Sequence, residues 1–270
     1  MRLAARWTRC PGDNPHWETP AKSGEMKDVV TVTLSVLAFV VSLYGVWEKR
    51  RETRRQLAIR LSQLVDELNK LSYEHDKLGS ELRAAGKVPP PQLASIANGR
   101  RTVLCEEAIE ISRLLPGGAR PSQTRTIASN LARVGEHRRA IALYENVVSA
   151  NPDSLESVFA LRGMGLLLME LGDLQRGRLA CEKSLALTAS TSSIPAWEAA
   201  DTCVRWAAGE AALGDQGNPR VPLKKAEQYA AKIELLPRRR EMLRRIEETE
   251  KYVVSLSPGS ERETPDTAVG

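Results

Sequence analysis

The sequence predicts an all-α protein in three parts: a single transmembrane helix, a juxtamembrane amphipathic helix with coiled-coil spacing, and an α-solenoid of helix pairs. Three observations carry that prediction. Residues Val29–Trp47 (VVTVTLSVLAFVVSLYGVW) hold no charge. Leucines then recur at alternating spacings of four and three from Leu57 to Leu82. Finally, glycine turns at Gly135, Gly172 and Gly214, separated by 37 and 42 residues, divide the rest into similar segments. Aromatic content is only 4 %, so the helices must pack through aliphatic and small side chains.

Residues 1–28 contain Pro and Gly without periodicity and read as a disordered tail. Met26 stands just before the apolar run, and residues 1–25 read equally as an over-extended frame ahead of a native start. The run 29–47 comes next. At 1.5 Å per residue it spans roughly 28 Å as a helix, close to the hydrocarbon thickness of a bilayer. Lys49, Arg50, Arg51, Arg54 and Arg55 follow it, which places the N-terminus outside and the C-terminal domain in the cytoplasm of a single-pass membrane protein. A cleaved signal peptide is the competing reading, but its cations would precede a shorter core and a small-x-small site would follow. Tyr44 and Trp47 fall at interfacial depth. Ser35, Ala38, Ser42 and Gly45 make a small-residue stripe of the kind that lets membrane helices approach closely.

Residues 48–85 form the basic juxtamembrane and heptad helix. Leu57, Leu61, Leu64, Leu68, Leu71, His75, Leu78 and Leu82 follow an a/d pattern. That pattern predicts a homo-oligomer seam, with His75 as a polar a-type position; the alternative is that the stripe lies along the chain's own downstream helices. At about 100° per residue the small-residue stripe centres about 70° around the helix from the Leu stripe. The linker at 86–91 (GKVPPP) ends this helix. Gln92–Leu115 reads as another amphipathic helix, with Leu93, Ile96, Val103, Leu104, Ile111 and Leu114 inward.

A helical domain is assigned to 92–256, with repeats at about 121–152, 158–189 and 200–237. A capping helix at 238–256 turns Met242, Ile246, Val253 and Leu256 inward, and 257–270 reads as a disordered tail. Each turn glycine is followed by an acid, which suits the positive N-terminus of the next helix. Pro121–Pro152 carries the large–small pair Ile127–Ala128, Gly135, Ala140 four residues before Tyr144, and Pro152. This segment resembles a tetratricopeptide (TPR) repeat, with Leu131 where an aromatic is usual. The second copy keeps Met164–Gly165, Leu168, Gly172, Gly177 and Cys181 but has no closing Pro. The third keeps Trp206–Ala207 and Gly214, with QGNPRVPL inserted before Ala226 and Pro237 near its close.

The TPR resemblance implies that the first helix of each repeat lines a concave groove for peptides. Alignment on the turn glycines then puts Arg125 and Arg162 at equivalent groove positions, with Arg205 one position along. Cations there resemble the family's way of holding acidic or C-terminal carboxylate groups.

Chemistry-bearing motifs are sparse. The histidines (His16, His75, His137) fall in unrelated contexts, and no nucleophile elbow, phosphate-cradling loop, metal spacing or paired-carboxylate motif is present. The reading is a non-enzyme without cofactor or metal. Cys10, Cys105, Cys181 and Cys203 lack metal-site spacing and read as buried reduced thiols. The net charge of +5 concentrates beside the apolar run and at Arg238–Arg245. The latter is followed by IEETE, a charge-segregated capping helix that argues against nucleic acid as partner. The sequence thus points to a membrane-anchored cytoplasmic scaffold holding an acidic protein or peptide partner. The alternatives are a basic module on nucleic acid or anionic lipid, and a regulatory subunit of a membrane complex.

Overall fold

The computed structural model describes residues 23–88, 90–190, 195–214 and 217–256, with side chains from residue 32 onward except at Arg83. The tails expected at 1–22 and 257–270 lie outside the described residues, as do Cys10, His16 and Asp215. The described residues form nine α-helices and no strand: α1 (Ser23–Ala84), α2 (Pro91–Leu114), α3 (Pro121–Arg133), α4 (His137–Ala150), α5 (Leu155–Glu170), α6 (Leu174–Ser190), α7 (Ala196–Ala212), α8 (Arg220–Ala231) and α9 (Leu236–Ser255). Contacts divide the chain into two units, one up to Arg54 and one from Arg55 onward.

The first unit is the leading part of α1. Helix begins at Ser23, so residues 23–28 are helical rather than tail. The prolines that break regular structure stop at Pro20, and nothing after them opposes a helix. Residues 32–54 are exposed throughout, and this helix is long and apolar enough to cross a membrane.

In the second unit the Leu stripe has a partner inside the chain. Leu61, Leu64 and Leu68 are 1 %, 0 % and 0 % exposed. With Leu57, Val65 and Leu71 they pack against Leu104, Cys105, Ala108 and Ile111 of α2 and Ile127, Ala128 and Leu131 of α3. Leu57–Leu71 thus lie along the chain's own downstream helices, the alternative to a homo-oligomer seam. A heptad stripe and a core-facing stripe have nearly the same period, and helices of the same chain are present at far higher effective concentration than a second copy. His75, Leu78 and Leu82 extend past that core and line a small cleft with Pro90, Pro91 and Leu93. The helical domain therefore begins within α1 and not at Gln92.

Helix α2 also differs from its expected orientation. Its inner face is Ala97, Arg101, Leu104, Cys105, Ala108 and Ile111, whereas Ile96, Val103 and Leu114 are exposed. Small residues at 97, 105 and 108 let α2 close on α1 and α3, and that close packing outweighs the bulkier Leu and Val on the other side.

The remaining helices pack as consecutive pairs, α3 with α4, α5 with α6 and α7 with α8. The first two turns share one hydrogen-bond pattern. The Gly135 N–H donates to Ala132 O and the Glu136 N–H to Leu131 O; Gly172 and Asp173 repeat this onto Met169 and Leu168. Such a Schellman closure requires the left-handed region, and φ is +89° at Gly135 and +84° at Gly172. Between α5 and α6 the backbones nearly touch. A Cβ on Gly177 would lie 2.8 Å from Gly165 O, and one on Gly165 would lie 2.9 Å from Gly177 O. Helices α3, α5, α7 and α9 contact one another in sequence, which puts the first helix of each pair in one row.

Smaller differences follow. Arg220–Leu223, within the segment inserted before Ala226, forms the first turn of α8 with Pro222 buried. Pro237 sits in the first turn of α9 and does not close the preceding repeat; its missing N–H costs nothing there. Met242 and Ile246 are buried and Val253 packs beside the second core cluster, but Leu256 is 44 % exposed, beyond the reach of α7 and α8.

Candidate functional site: an arginine-lined groove

The row of first helices carries a cleft of about 660 Å³. Arg125 and Arg133 of α3, Tyr144 of α4, Phe159 and Arg162 of α5, and Arg205 of α7 all line it. The three arginines singled out from the turn alignment thus meet in one concavity.

They play different parts. Arg162 is held inward: its side chain is 14 % exposed, and Nη1 donates to Asp201 Oδ2 at 2.6 Å. Burial lowers its pKa, with Asp201 opposing that push. Arg125 bonds only through Nε, to Glu156 Oε2 at 2.8 Å. Arg205 likewise uses only Nε, to Asp201 Oδ2 at 3.0 Å. In both, the two terminal Nη groups find no acceptor within the described chain. A guanidinium held along its Nε edge keeps its end free to take a carboxylate bidentately. Arg125 and Arg162 each place Cζ 5.0 Å from the centroid of the Phe159 ring, and these cation–π contacts stiffen both side chains.

Asp201 anchors this arrangement. Besides Arg162 and Arg205 it accepts from Arg245 of α9, Nη2 to Oδ1 at 2.5 Å. Burial alone would raise its pKa, but Arg205, Arg162 and Arg245 outweigh it and hold the carboxyl below the usual range. Neighbouring Glu198 goes the other way: burial raises it against the pull of Arg162. Asp201 and Glu198 sit behind Arg205, at 8 % and 20 % side-chain exposure against its 52 %, whereas Glu156 is about as exposed as Arg125 and Glu170 also lines the cleft. Arg205 is therefore the most exposed charge of the Asp201 cluster.

Sequence reasoning missed Arg133, which lines the same cleft but spends both Nη groups on Asp76 at 2.9 and 3.0 Å. It also missed Gly163, where a Cβ would lie 2.9 Å from Tyr144 Oη; glycine there gives the phenol its place. Elsewhere, Glu210 is 1 % exposed. It accepts from Arg178 Nε and Nη2, Trp206 Nε1 and the Asn218 N–H, all at 2.8–2.9 Å, which ties the α7–α8 turn to α6. Cys105, Cys181 and Cys203 are buried free thiols, and burial pushes each up to about 12. Among the described residues no group of three or more His, Cys, Asp or Glu is placed to hold a metal ion.

Comparison with protein-family models, curated proteins and solved structures returns no match.

Proposed function

We propose that this chain is a membrane-tethered interaction module whose soluble part is a TPR-like solenoid, and that its arginine-lined groove holds an acidic segment of a protein partner. The observation that carries the reading is the pair of unused guanidinium ends, Arg125 and Arg205, in one cleft with Phe159 and Tyr144. Fixed forks recognise planar carboxylates with little ordering cost. The repeated glycine closures, the row of first helices and the capping position of α9 support the solenoid reading. The uncharged span followed by five cations supports a single-pass anchor with its C-terminal domain in the cytoplasm. Tethering raises the local concentration of a partner at the same membrane, so modest groove affinity suffices. No catalytic role is proposed; the three described thiols are buried.

The test is a peptide array of acidic sequences and their Asn/Gln counterparts, probed with the purified chain. Acidic peptides bind and their neutral counterparts do not, and Arg125→Gln with Arg205→Gln weakens binding about 10-fold or more, the scale of losing two charge-assisted contacts. Equal binding of neutral peptides overturns the assignment.

A further inference from the structure

The groove leaves the cations beside the apolar run unexplained. At about 100° per residue, Tyr44, Trp47, Arg51 and Arg54 fall within one sector of about 80° on α1. Lys49 stands on the opposite side, and Glu48 and Glu52 lie outside the sector. The rings of Tyr44 and Trp47 meet, with centroids 6.0 Å apart, and Arg51 Cζ sits 5.6 Å from the Trp47 ring centroid. The two aromatics are 60 % and 56 % exposed. Neither Arg51 nor Arg54 forms an ion pair within the described residues, and both are exposed, so they are open to an anion from outside this helix.

We propose that Tyr44, Trp47, Arg51 and Arg54 form a face that binds the headgroup of an anionic phospholipid. The face rests on the membrane-span reading above. Amphipathic rings settle at headgroup depth, and about one and two turns further along the same face the two guanidiniums reach the phosphate layer. The cation–π contact holds Arg51 beside Trp47 instead of letting it sweep through solvent, and a guanidinium takes two phosphate oxygens at once. A stop-transfer signal needs only charge, at any angle around the helix; here two of the cations share a face with the aromatics and the acids do not. Lys49 supplies the internal comparison, because it carries equal charge at nearly equal depth on the other side.

The experiment reconstitutes the full chain into phosphatidylcholine vesicles containing spin-labelled phosphatidylglycerol or spin-labelled phosphatidylcholine. Electron paramagnetic resonance then gives the fraction of each label immobilised by the protein. Phosphatidylglycerol is retained several-fold over phosphatidylcholine at low salt, the ratio falling toward one in 0.5 M salt on the order expected from screening. Arg51→Gln removes most of the preference, Arg51→Lys restores part of it, and Lys49→Gln leaves it nearly intact. A ratio near one in the unaltered chain overturns the proposal, and so does an equal effect of Lys49→Gln and Arg51→Gln. Flotation of the vesicles separates the two readings. If the chain floats with the vesicles and the ratio is one, only the headgroup face fails; if it does not float, the membrane span fails and takes the face with it.

Discussion

Replacing Arg101 by Leu removes a charge that the fold encloses without enough partners. The side chain is 1 % exposed among helices α1, α2 and α3. Its Nη1 donates to Asn98 Oδ1 at 2.9 Å, but Nε and Nη2 find no acceptor. Burial lowers its pKa and Arg133 pushes the same way, against Asp76. Each buried donor without an acceptor costs about 1–3 kcal/mol, and the bond to Asn98 returns about 1.5–3 kcal/mol. Leucine keeps most of the apolar contact but leaves a small cavity costing about 1 kcal/mol. Exchange of a poorly paired buried ion for an apolar side chain is commonly neutral to stabilising by about 1–4 kcal/mol. We expect Arg101→Leu to stabilise the domain by about 1–3 kcal/mol, which raises Tm by roughly 3–9 °C at this size. Urea and thermal unfolding followed by circular dichroism, on a fragment beginning at Arg55, measure it. The reasoning is refuted if both Arg101→Leu and Arg101→Met lower stability by more than about 1 kcal/mol, since the guanidinium would then be doing electrostatic service that its geometry does not reveal.

Three further outcomes follow from the packing. Gly177→Ala puts a methyl 2.5 Å from Met169 Cγ and 2.8 Å from Gly165 O, so it lowers unfolding free energy by about 1–3 kcal/mol; an unchanged urea midpoint would contradict the close approach of α5 and α6. Asp201→Asn removes the carboxylate shared by Arg162, Arg205 and Arg245 and leaves enclosed Arg162 only Glu198, 3.9 Å away, at a cost of about 3 kcal/mol. Because the pKa of Asp201 is held below its ordinary 3.8, its contribution is present above that value and lost as pH falls through the folded pKa. Unfolding titrations should accordingly steepen below pH 3.8 in the unaltered chain and flatten there in Asp201→Asn. Finally, a fragment beginning at Arg55 is folded and monomeric by sedimentation, whereas one beginning at Gln92 loses Leu61, Leu64 and Leu68 from its core. Each buried leucine contributes about 1.5–3 kcal/mol, so a folded Gln92 fragment would show that the α1 stripe is dispensable.

The parts legible in the sequence are those written in local rules. Gly135 and Gly172 announce themselves because only glycine sits comfortably at positive φ, and the apolar run announces itself by length alone. Arg125, Arg162 and Arg205 were brought together by counting from those glycines, which works because the pairs repeat with one geometry. What resisted reading depends on partners distant in sequence. Leu61 and Leu68 look the same whether they meet α2 and α3 or a second chain. On α2, bulk pointed to Ile96 and Val103, while the true inner face is marked by Ala97, Cys105 and Ala108, whose smallness matters only once a neighbouring helix is in place. Arg101 was hidden for the same reason: a charged residue reads as surface until three helices close over it. The counter-acids were equally silent, because Glu156 and Asp201 acquire their role only across helix pairs.

One carboxylate joins three helices that the ribosome delivers at different times. Asp201 takes Arg162 from α5, Arg205 from its own α7 and Arg245 from α9. Until α9 emerges, Oδ1 has no guanidinium, and Arg162 and Arg205 are left to compete for both oxygens. A chain lacking α9 would thus lose the Arg245 contact on Oδ1. The positions of Arg162 and Arg205 are in this way tied to the docking of α9 through a single acidic side chain.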